Sequence, residues 1–362
     1  MFVSERALNT EKDHVEGFSP EVAWVTKSGQ SELAEPIAVR PTSETIMYPA
    51  FKQWIDSHRD LPLKLNQWSN VVRWEFKHPT PFIRSREFLW QEGHSAFATL
   101  AEAEEEVLQI LGLYASVYQD LLALPVIKGK KTEEEKFAGG YYTTTVEAFI
   151  PSVGRGIQGA TSHCLGTNFA KMFDITFADA NKERKHVIQN SWGLTTRTIG
   201  VMVMVHSDNK GLVLPPRIAP TQVVIVPIYF KKTMQQIKEH CQALADQLSA
   251  AGIRVFADLS EHYNPGWKFN QHELQGVPIR LEVGPRDYEA KQVMYIRRDD
   301  ETNTKKALSV DNLVQGVITE LEAMQQDLLI KATKERDERM DQVTTWSEFN
   351  LSLNKRNMVL AP

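Results

Sequence analysis

Apolar residues recur every three to four positions through "AEAEEEVLQILGLYASVYQDLLAL" (101–124). Val107, Leu111, Tyr114, Tyr118 and Leu121 or Leu122 therefore predict one buried face of a long helix, and acidic residues fill its first turn, where the helix dipole favours them. The period shortens to two in "YYTTTVEAFI" (141–150), a β-branched and aromatic segment that reads as a strand. The same alternation runs through "NVVRWEFKHPTPFIRSREFLW" (70–90). There it sets Arg73, Glu75 and Lys77 on one face of a first strand, opposite Val72, Trp74 and Phe76. Beyond "HPTP" it sets Arg84, Arg86, Phe88 and Trp90 on one face of a second. Helices are expected in "SERALNTEKDHVEGF", with Ser4 as N-cap, and after "RPTSE" through "TIMYPAFKQWIDSH". "GRGIQGATSHCLG" reads as turn and strand, "FAKMFDITFAD" as a helix end and strand, and "IQNSWGLTTRTIGVMVMVHSD" as strand then helix.

"GLVLPPRIAPTQ", with three prolines, breaks this pattern and makes a linker. After it, strands ("QVVIVPI", "IRVFADL", "PIRLEVG", "QVMYIRRDD") alternate with helices ("KKTMQQIKEHCQALADQLSAAG", "SVDNLVQGVITELEAMQQDLL"), the pattern of a small α/β domain. The last segment, from 330, is charged and helical at first and then irregular. The chain's 362 residues leave room for two such domains.

Composition narrows the class. No apolar run is long enough to span a bilayer, and "MFVSERALNTEKDH" lacks a signal-peptide hydrophobic core, so a cytoplasmic location is expected. Cys164 and Cys241 lie too far apart in sequence to imply a disulfide scaffold or a zinc site. A net charge of −5 argues against a protein that coats nucleic acid, but not against a site-specific RNA binder.

Arginines carry the chemistry. Arg40, Arg73, Arg84, Arg86 and Arg197 fall on expected strands, and a guanidinium clamps phosphate or carboxylate through paired hydrogen bonds. One arginine alone is more simply a salt-bridge partner for Glu75 or Glu87. Several, beside Phe88, Trp90 and His94, point to a site that grips a polyanion next to a flat ring. There is neither a Walker-type loop nor a dinucleotide fingerprint, so a nucleotide site would have to be built from a sheet face.

"RPTSE", "RWEFKHPTPFIRSREFLWQEGH" and "GLTTRTIG" together resemble class II aminoacyl-tRNA synthetases, specifically the archaeal and eukaryotic type of prolyl-tRNA synthetase. Arg-x-Glu, a loop and Arg-x-x-x-Phe resemble motif 2 of that class, and "GLTTR" leading into a helix resembles motif 3. The resemblance implies an α+β fold. An antiparallel-sheet catalytic domain (1–215) precedes a small α/β anticodon-binding domain (216–328), with the start of a C-terminal extension at 329–362. It implies activation of L-proline by ATP with Mg²⁺ and transfer to tRNA(Pro), with no editing domain between motifs 2 and 3. It also implies a homodimer for the full-length protein.

Residue by residue, the resemblance puts Arg73 on the α-phosphate and the amino-acid carboxylate, Glu75 on the adenine amino group and Arg84 on the outer phosphates. The Ser85 backbone meets the ring edge, Phe88 and Arg197 sandwich adenine, and Thr195, Gln158 and Thr161 contact ATP, with Gln158 near its metal. Thr42 and Glu44 bind the proline amine, and Trp90, His94, Phe137 and His163 wall its ring. In the second domain Lys268, Arg280, Glu282 and Arg286 are candidates for reading the anticodon. Yet residues 221–330 hold 12 Lys and Arg against 15 Asp and Glu, where a basic patch would be expected.

Two departures stand out. The chain starts where the strand of motif 1 would have just ended, and no zinc ligands are expected because the cysteine-bearing C-terminal part of the family is absent. Two alternatives follow from the same residues: a synthetase-like RNA-binding or regulatory protein without catalysis, and a sister enzyme for another amino acid. The intact arginine set opposes the first. The lack of a zinc-binding amino-acid pocket opposes a threonine enzyme.

Overall fold

In the computed structural model, which describes residues 1–6, 8, 21–74 and 77–362, the alternating segments of the first half build a six-stranded sheet. Along the chain come β1 (Phe2–Ser4), β2 (Trp24–Ser28), β3 (Ser31–Val39), α1 (Glu44–Trp54), β4 (Leu63–Val72), β5 (Glu87–Phe97) and α2 (Leu100–Ser116). There follow β6 (Val126–Lys130), β7 (Tyr142–Ile150), β8 (Arg155–Gly166), α3 (Asn168–Met172), β9 (Thr176–Ala178), β10 (Arg184–His186), β11 (Ile188–Thr195) and α4 (Arg197–His206). The large sheet has the order β4-β5-β11-β8-β7-β6, and the pairs β4/β5, β5/β11, β11/β8 and β6/β7 run antiparallel. Strands β1, β3 and β2 form a small sheet, and β9 pairs with β10.

Strand β5 separates two environments. Its odd residues face α2: Gln91 accepts from Tyr114 Oη at 2.7 Å, and Ser95 Oγ donates to the buried carboxylate of Glu106. Asn190 on β11 joins them, donating to Ala103 O (2.8 Å) and Glu106 (3.0 Å). Its even residues face the other side, where Tyr48 and Phe51 of α1 pack with Ala96, Leu165, Phe169, Ile175, Phe177 and Val187. Gly93 pairs with Trp192 across the β5/β11 ladder, and a Cβ at Gly93 would lie 2.1 Å from the indole ring. The missing side chain is what lets Trp192 lie across its neighbour.

The chain divides into two compact units. The first is Met1–Ser116, Val126–Ala148 and Gly156–Val201, and the second is Val117–Pro125, Phe149–Arg155 and Met202–Pro362. Most of the second unit is built from β12 (Val223–Pro227), α5 (Met234–Ala250), β13 (Val255–Ala257), α6 (Pro265–Leu274), β14 (Ile279–Val283), α7 (Pro285–Glu289), β15 (Gln292–Arg297), β16 (Lys306–Ser309) and α8 (Leu313–Asp337). Its five-stranded sheet, β13-β12-β14-β15-β16, is parallel across its first three strands and antiparallel beyond. The apolar stripe of α5 (Ile237, Cys241, Leu244, Leu248) and that of α8 (Leu313, Val317, Leu321) close over it.

Several expectations need correction. None of the five arginines lies on a strand. Arg40 follows β3, Arg73 follows β4, Arg84 and Arg86 sit in the loop before β5, and Arg197 opens α4. The register explains the shift: Val72 pairs with Glu87, so the ladder closes there. Residues 77–86 form a loop tied by reciprocal backbone bonds between Thr80 and Arg84, flanked by Pro79 and Pro81, which have no N–H to give a ladder. Ser4 ends β1, Glu5, Arg6 and Leu8 directly after it are helical, and the rest of the helix expected at 4–18 lies outside the described residues. The tail is more regular than expected, with β17 (Met340–Gln342), α9 (Trp346–Asn354) and β18 (Met358–Leu360). The hairpin of β2 and β3 and helix α6 were not foreseen either; Gly266 and Pro265 disguise α6, although Asn264 caps it by accepting from Trp267 N at 2.9 Å.

Gly93→Ala should push Trp192 off its strand and destabilise the first unit by about 1–3 kcal/mol, the usual cost of overpacking. Denaturant unfolding followed by tryptophan fluorescence measures this.

Candidate active site

A cavity of about 380 Å³ opens on the even face of β5, within the range of about 300–1,000 Å³ common for small-molecule sites. Four residues of one strand face line it in register: Phe88, Trp90, Glu92 and His94. Strand β8 adds Gln158, Gly159, Ala160, Thr161 and His163, and β11 adds Ser191, Trp192, Gly193 and Thr195. Thr42 and Glu44 enter from the start of α1, and Arg73, Arg84, Ser85 and Arg197 from the ends of β4, the following loop and α4. The structure thus brings together every described residue that the sequence assigned to this site. Glu75 lies outside the described residues.

The cationic rim is held by backbone oxygens. Arg73 Nε donates to Pro41 O at 2.9 Å, and its guanidinium carbon sits 5.6 Å from the ring centres of both Phe88 and Trp90. Arg197 Nε donates to Ile83 O (2.9 Å) and Nη1 to Gln158 O (3.2 Å). Those bonds aim the guanidinium group while leaving it charged. Phe88 and Trp90 meet edge to face at 5.7 Å, and Trp90 Nε1 donates to Ser69 Oγ at 3.0 Å. The Arg86 guanidinium lies 4.4 Å from the Trp74 ring centre, in cation–π geometry.

The deep end is acidic and buried. Glu44 and Glu92 are both almost wholly removed from solvent. Thr42 Oγ1 donates to Glu44. Glu92 Oε1 accepts from Gln67 Nε2 (2.6 Å) and from His94 Nε2 (3.0 Å), and His94 Nδ1 meets Tyr48 Oη at 3.0 Å. Burial raises the pKa of Glu44, with His94 opposing and Glu92 adding to the rise. Burial pushes Glu92 the same way, but hydrogen bonds and charge from His94, with help from Ser43 and Gln67, hold it below the ordinary carboxylate range. Opposite, Thr143 Oγ1 lies 2.8 Å from His163 Nδ1 and accepts from Phe137 N at 2.9 Å, while the Phe137 ring stands 4.8 Å from the imidazole. Burial, reinforced by Lys131 and His94, pushes His163 down to about 3 and keeps the ring neutral.

Sequence reading missed Glu92, Lys131, Glu135, Thr143 and Trp192 among the lining residues. Glu92 was within reach, because it continues the Phe88, Trp90, His94 alternation. Lys131 and Glu135 follow the edge strand β6 and carry no local signal. Among the described residues no group of three His, Cys, Asp or Glu could hold a metal ion. Cys164 and Cys241 are both free and buried.

The four second-unit candidates do not form one free surface. Lys268 is buried, and its ammonium donates to Asp258 O (2.7 Å) and Ser260 O (2.6 Å) and pairs with Asp258 Oδ1 (3.1 Å). Glu282, also buried, accepts from Arg280 (3.1 Å) and from Lys305 (2.6 Å), and both cations approach the Phe269 ring, at 4.4 and 5.9 Å. Arg286, on α7, is exposed.

Comparison with known proteins covers both units. The family model "tRNA synthetase class II core domain (G, H, P, S and T)" matches residues 24–206, and "Anticodon binding domain" matches residues 222–320. Over its whole length the chain is 59% identical to "Proline--tRNA ligase, cytoplasmic" of Arabidopsis thaliana, covering 68% of that protein. It is 52% identical to "Proline--tRNA ligase" of Encephalitozoon cuniculi, covering 73%. It is 55% identical to "Bifunctional glutamate/proline--tRNA ligase" of Drosophila melanogaster, of which it spans 21%.

The buried environment of His163 should keep it uncharged well into acid. Ring-nitrogen NMR at about pH 5, below the ordinary histidine value, is expected to show a neutral imidazole at this position.

Proposed function

The chain belongs to the proline--tRNA ligase family of class II synthetases, and on that premise we propose that its cavity activates L-proline with ATP, the product then being passed to tRNA. The fold is the α+β core of that class with its anticodon-binding domain. The observation that carries the reading is the convergence of arginines, aromatic rings and buried carboxylates on one cavity of substrate size. In this reading the catalytic domain extends to residue 215, the anticodon domain spans 216–328 and the extension starts at 329.

The chemistry needs little from the protein beyond placement and charge. A proline carboxylate oxygen attacks the α-phosphorus, the bond from that phosphorus to the bridging oxygen breaks, and the electron pair leaves with pyrophosphate. No general base is required, since the carboxylate is already ionised at neutral pH. Arg73, held by Pro41 O beside Phe88 and Trp90, is assigned the carboxylate and the α-phosphate, where negative charge builds in the transition state. Arg84 takes the outer phosphates. Phe88 and Arg197 flank adenine, Ser85 meets its edge, and Glu75 is assigned its amino group. Thr161, Thr195 and Gln158 complete the ATP contacts. Magnesium enters with ATP as part of the substrate, and the neutral oxygen of Gln158 supplements phosphate ligands.

Thr42 and Glu44 take the proline amine, and Trp90, His94, Phe137 and His163 enclose the ring. His163 suits an apolar ring because burial keeps it neutral. The raised pKa of Glu44 carries a condition: the carboxyl must lose its proton to pair with a cationic amine. For the anticodon we assign Arg280, Glu282 and the exposed Arg286. Lys268 is assigned to the same domain as the ammonium that ties α6 to the Asp258–Ser260 turn. We further propose cytoplasmic action and a homodimer for the full-length protein. No helix among the described residues is long and apolar enough to cross a membrane.

Full-length protein should exchange pyrophosphate into ATP when proline is supplied. Alanine, which lacks two of proline's ring carbons, should support the same exchange at an efficiency lower by about 10²–10⁴-fold, at about 10–200-fold for each missing carbon. Absence of proline-dependent exchange would sink the reading. Arg73→Ala should lower kcat for exchange by about 10²–10³, the usual cost of losing a donor aimed at transition-state charge, with thermal stability little changed.

A further inference from the structure

The amine end of the cavity holds one more acid than the reading above uses. Glu92 is 3% exposed, lies on the cavity face of β5 and accepts from Gln67 and His94 on one oxygen, while Ser43 lies close enough to favour its charged form. Its second oxygen, Oε2, is buried with no partner among the described residues. A buried carboxylate oxygen left without a partner is costly, since it has given up its water and received nothing in return. Nothing in the packing requires an acid there. A glutamine could accept at one oxygen from Gln67 and His94 with the same shape. What the glutamine lacks is the charge.

The neighbours show where that charge acts. His94, tied to Glu92 by Nε2, points its Nδ1 to Tyr48 of α1, the helix whose first residue is Glu44. Gln67 Nε2 bridges Glu92 to Ser43, the residue before Glu44. Both arms of the network therefore lead to the carboxylate assigned to the amine. The ionisable groups that act on Glu44 are Glu92 and His94 from β5 and Arg73 from the end of β4, and His163 of β8 faces the same cavity as a neutral ring.

We propose that Glu92 is a positioning and specificity residue of the amino-acid pocket: its charge, anchored by Gln67 and His94, makes the pocket select a cationic ring amine through Glu44. The inference rests on the proline-activating reading. Glu44 and Glu92 set two carboxylates beside Arg73 and His94, so a neutral ring brings the acidic end no cation of its own whereas a cationic amine does. This is selection by penalty on the wrong ligand as well as attraction to the right one. The Glu92 side chain need not touch the substrate, and its buried Oε2 fits action through field and through His94.

The test uses Glu92→Gln and Gln67→Ala in full-length protein, with proline binding followed by calorimetry across pH and exchange kinetics alongside. Wild-type proline affinity should fall as pH falls and Glu44 gains its proton. In Glu92→Gln the neighbouring negative charge is gone, so Glu44 holds its proton less tightly. The acid limb then moves to lower pH, while KM for proline at neutral pH rises about ten- to hundredfold, as expected when a buried charge network loses a member. KM for ATP should stay within about twofold, and discrimination between proline and its neutral analogue cyclopentanecarboxylate should shrink. Gln67→Ala removes one bond that holds the Glu92 charge, so Glu92 protonates more readily and the limb moves in the same direction as in Glu92→Gln, by less. A graded shift in one direction does not arise from a packing defect. Should Glu92→Gln fail to fold, the Gln67→Ala limb decides alone. An unmoved limb and unchanged discrimination in an active protein overturn the proposal, whereas a wild type that neither binds proline nor exchanges pyrophosphate overturns the function itself.

Discussion

A β-strand shows only every second side chain to one face, and in this molecule a single strand spends that face on the site. Phe88, Trp90, Glu92 and His94 look into the cavity, whereas Gln91 and Ser95 are bound from the opposite side by α2. Every other part of the site is placed against that row. Strand β11 pairs with it so closely that Gly93 must lack a side chain under Trp192. Helix α1 delivers Thr42 and Glu44 to its inner end, and the ends of β4 and α4 deliver arginines to its outer end. A slip of one residue in β5 would exchange the aromatic and acidic row for Leu89, Gln91 and Gly93 and erase the site.

The row also sorts charge. Its outer end meets cations anchored on backbone oxygens, which fix a guanidinium without neutralising it. Its inner end holds two buried carboxylates whose proton affinities are driven apart, Glu44 upward by burial and Glu92 downward by the hydrogen bonds of His94 and its neighbours. Such a gradient suits a ligand that is anionic at one end and cationic at the other, as the proposed function requires.

Much of the fold was legible along the chain. The period of α2, the alternation of β7, the three prolines before β12 and the strand–helix alternation beyond them gave elements close to those observed. The elements that escaped were those whose local signal conflicts with their role. Helix α6 opens with Asn-Pro-Gly, a turn signature that an Asn cap converts into a helix start. The loop 77–86 keeps an alternating pattern, yet two prolines and the closed Thr80–Arg84 bridge stop the ladder at Val72 and Glu87. Lys268 reads as a recognition lysine, but its surroundings turn it into a buried tether.

By itself the sequence determined the residue types of the site and their motif spacing, because an arginine, an aromatic ring and a carboxylate carry their chemistry wherever the backbone sets them. It also determined that two units are present, since periodicity and proline breaks are local properties. Only the tertiary structure decided that the arginines flank strands instead of riding on them, that Glu92 lines the cavity with Glu44, and that Lys268 is enclosed. Those outcomes depend on ladder register and on which faces pack together, and both are settled by partners distant in sequence.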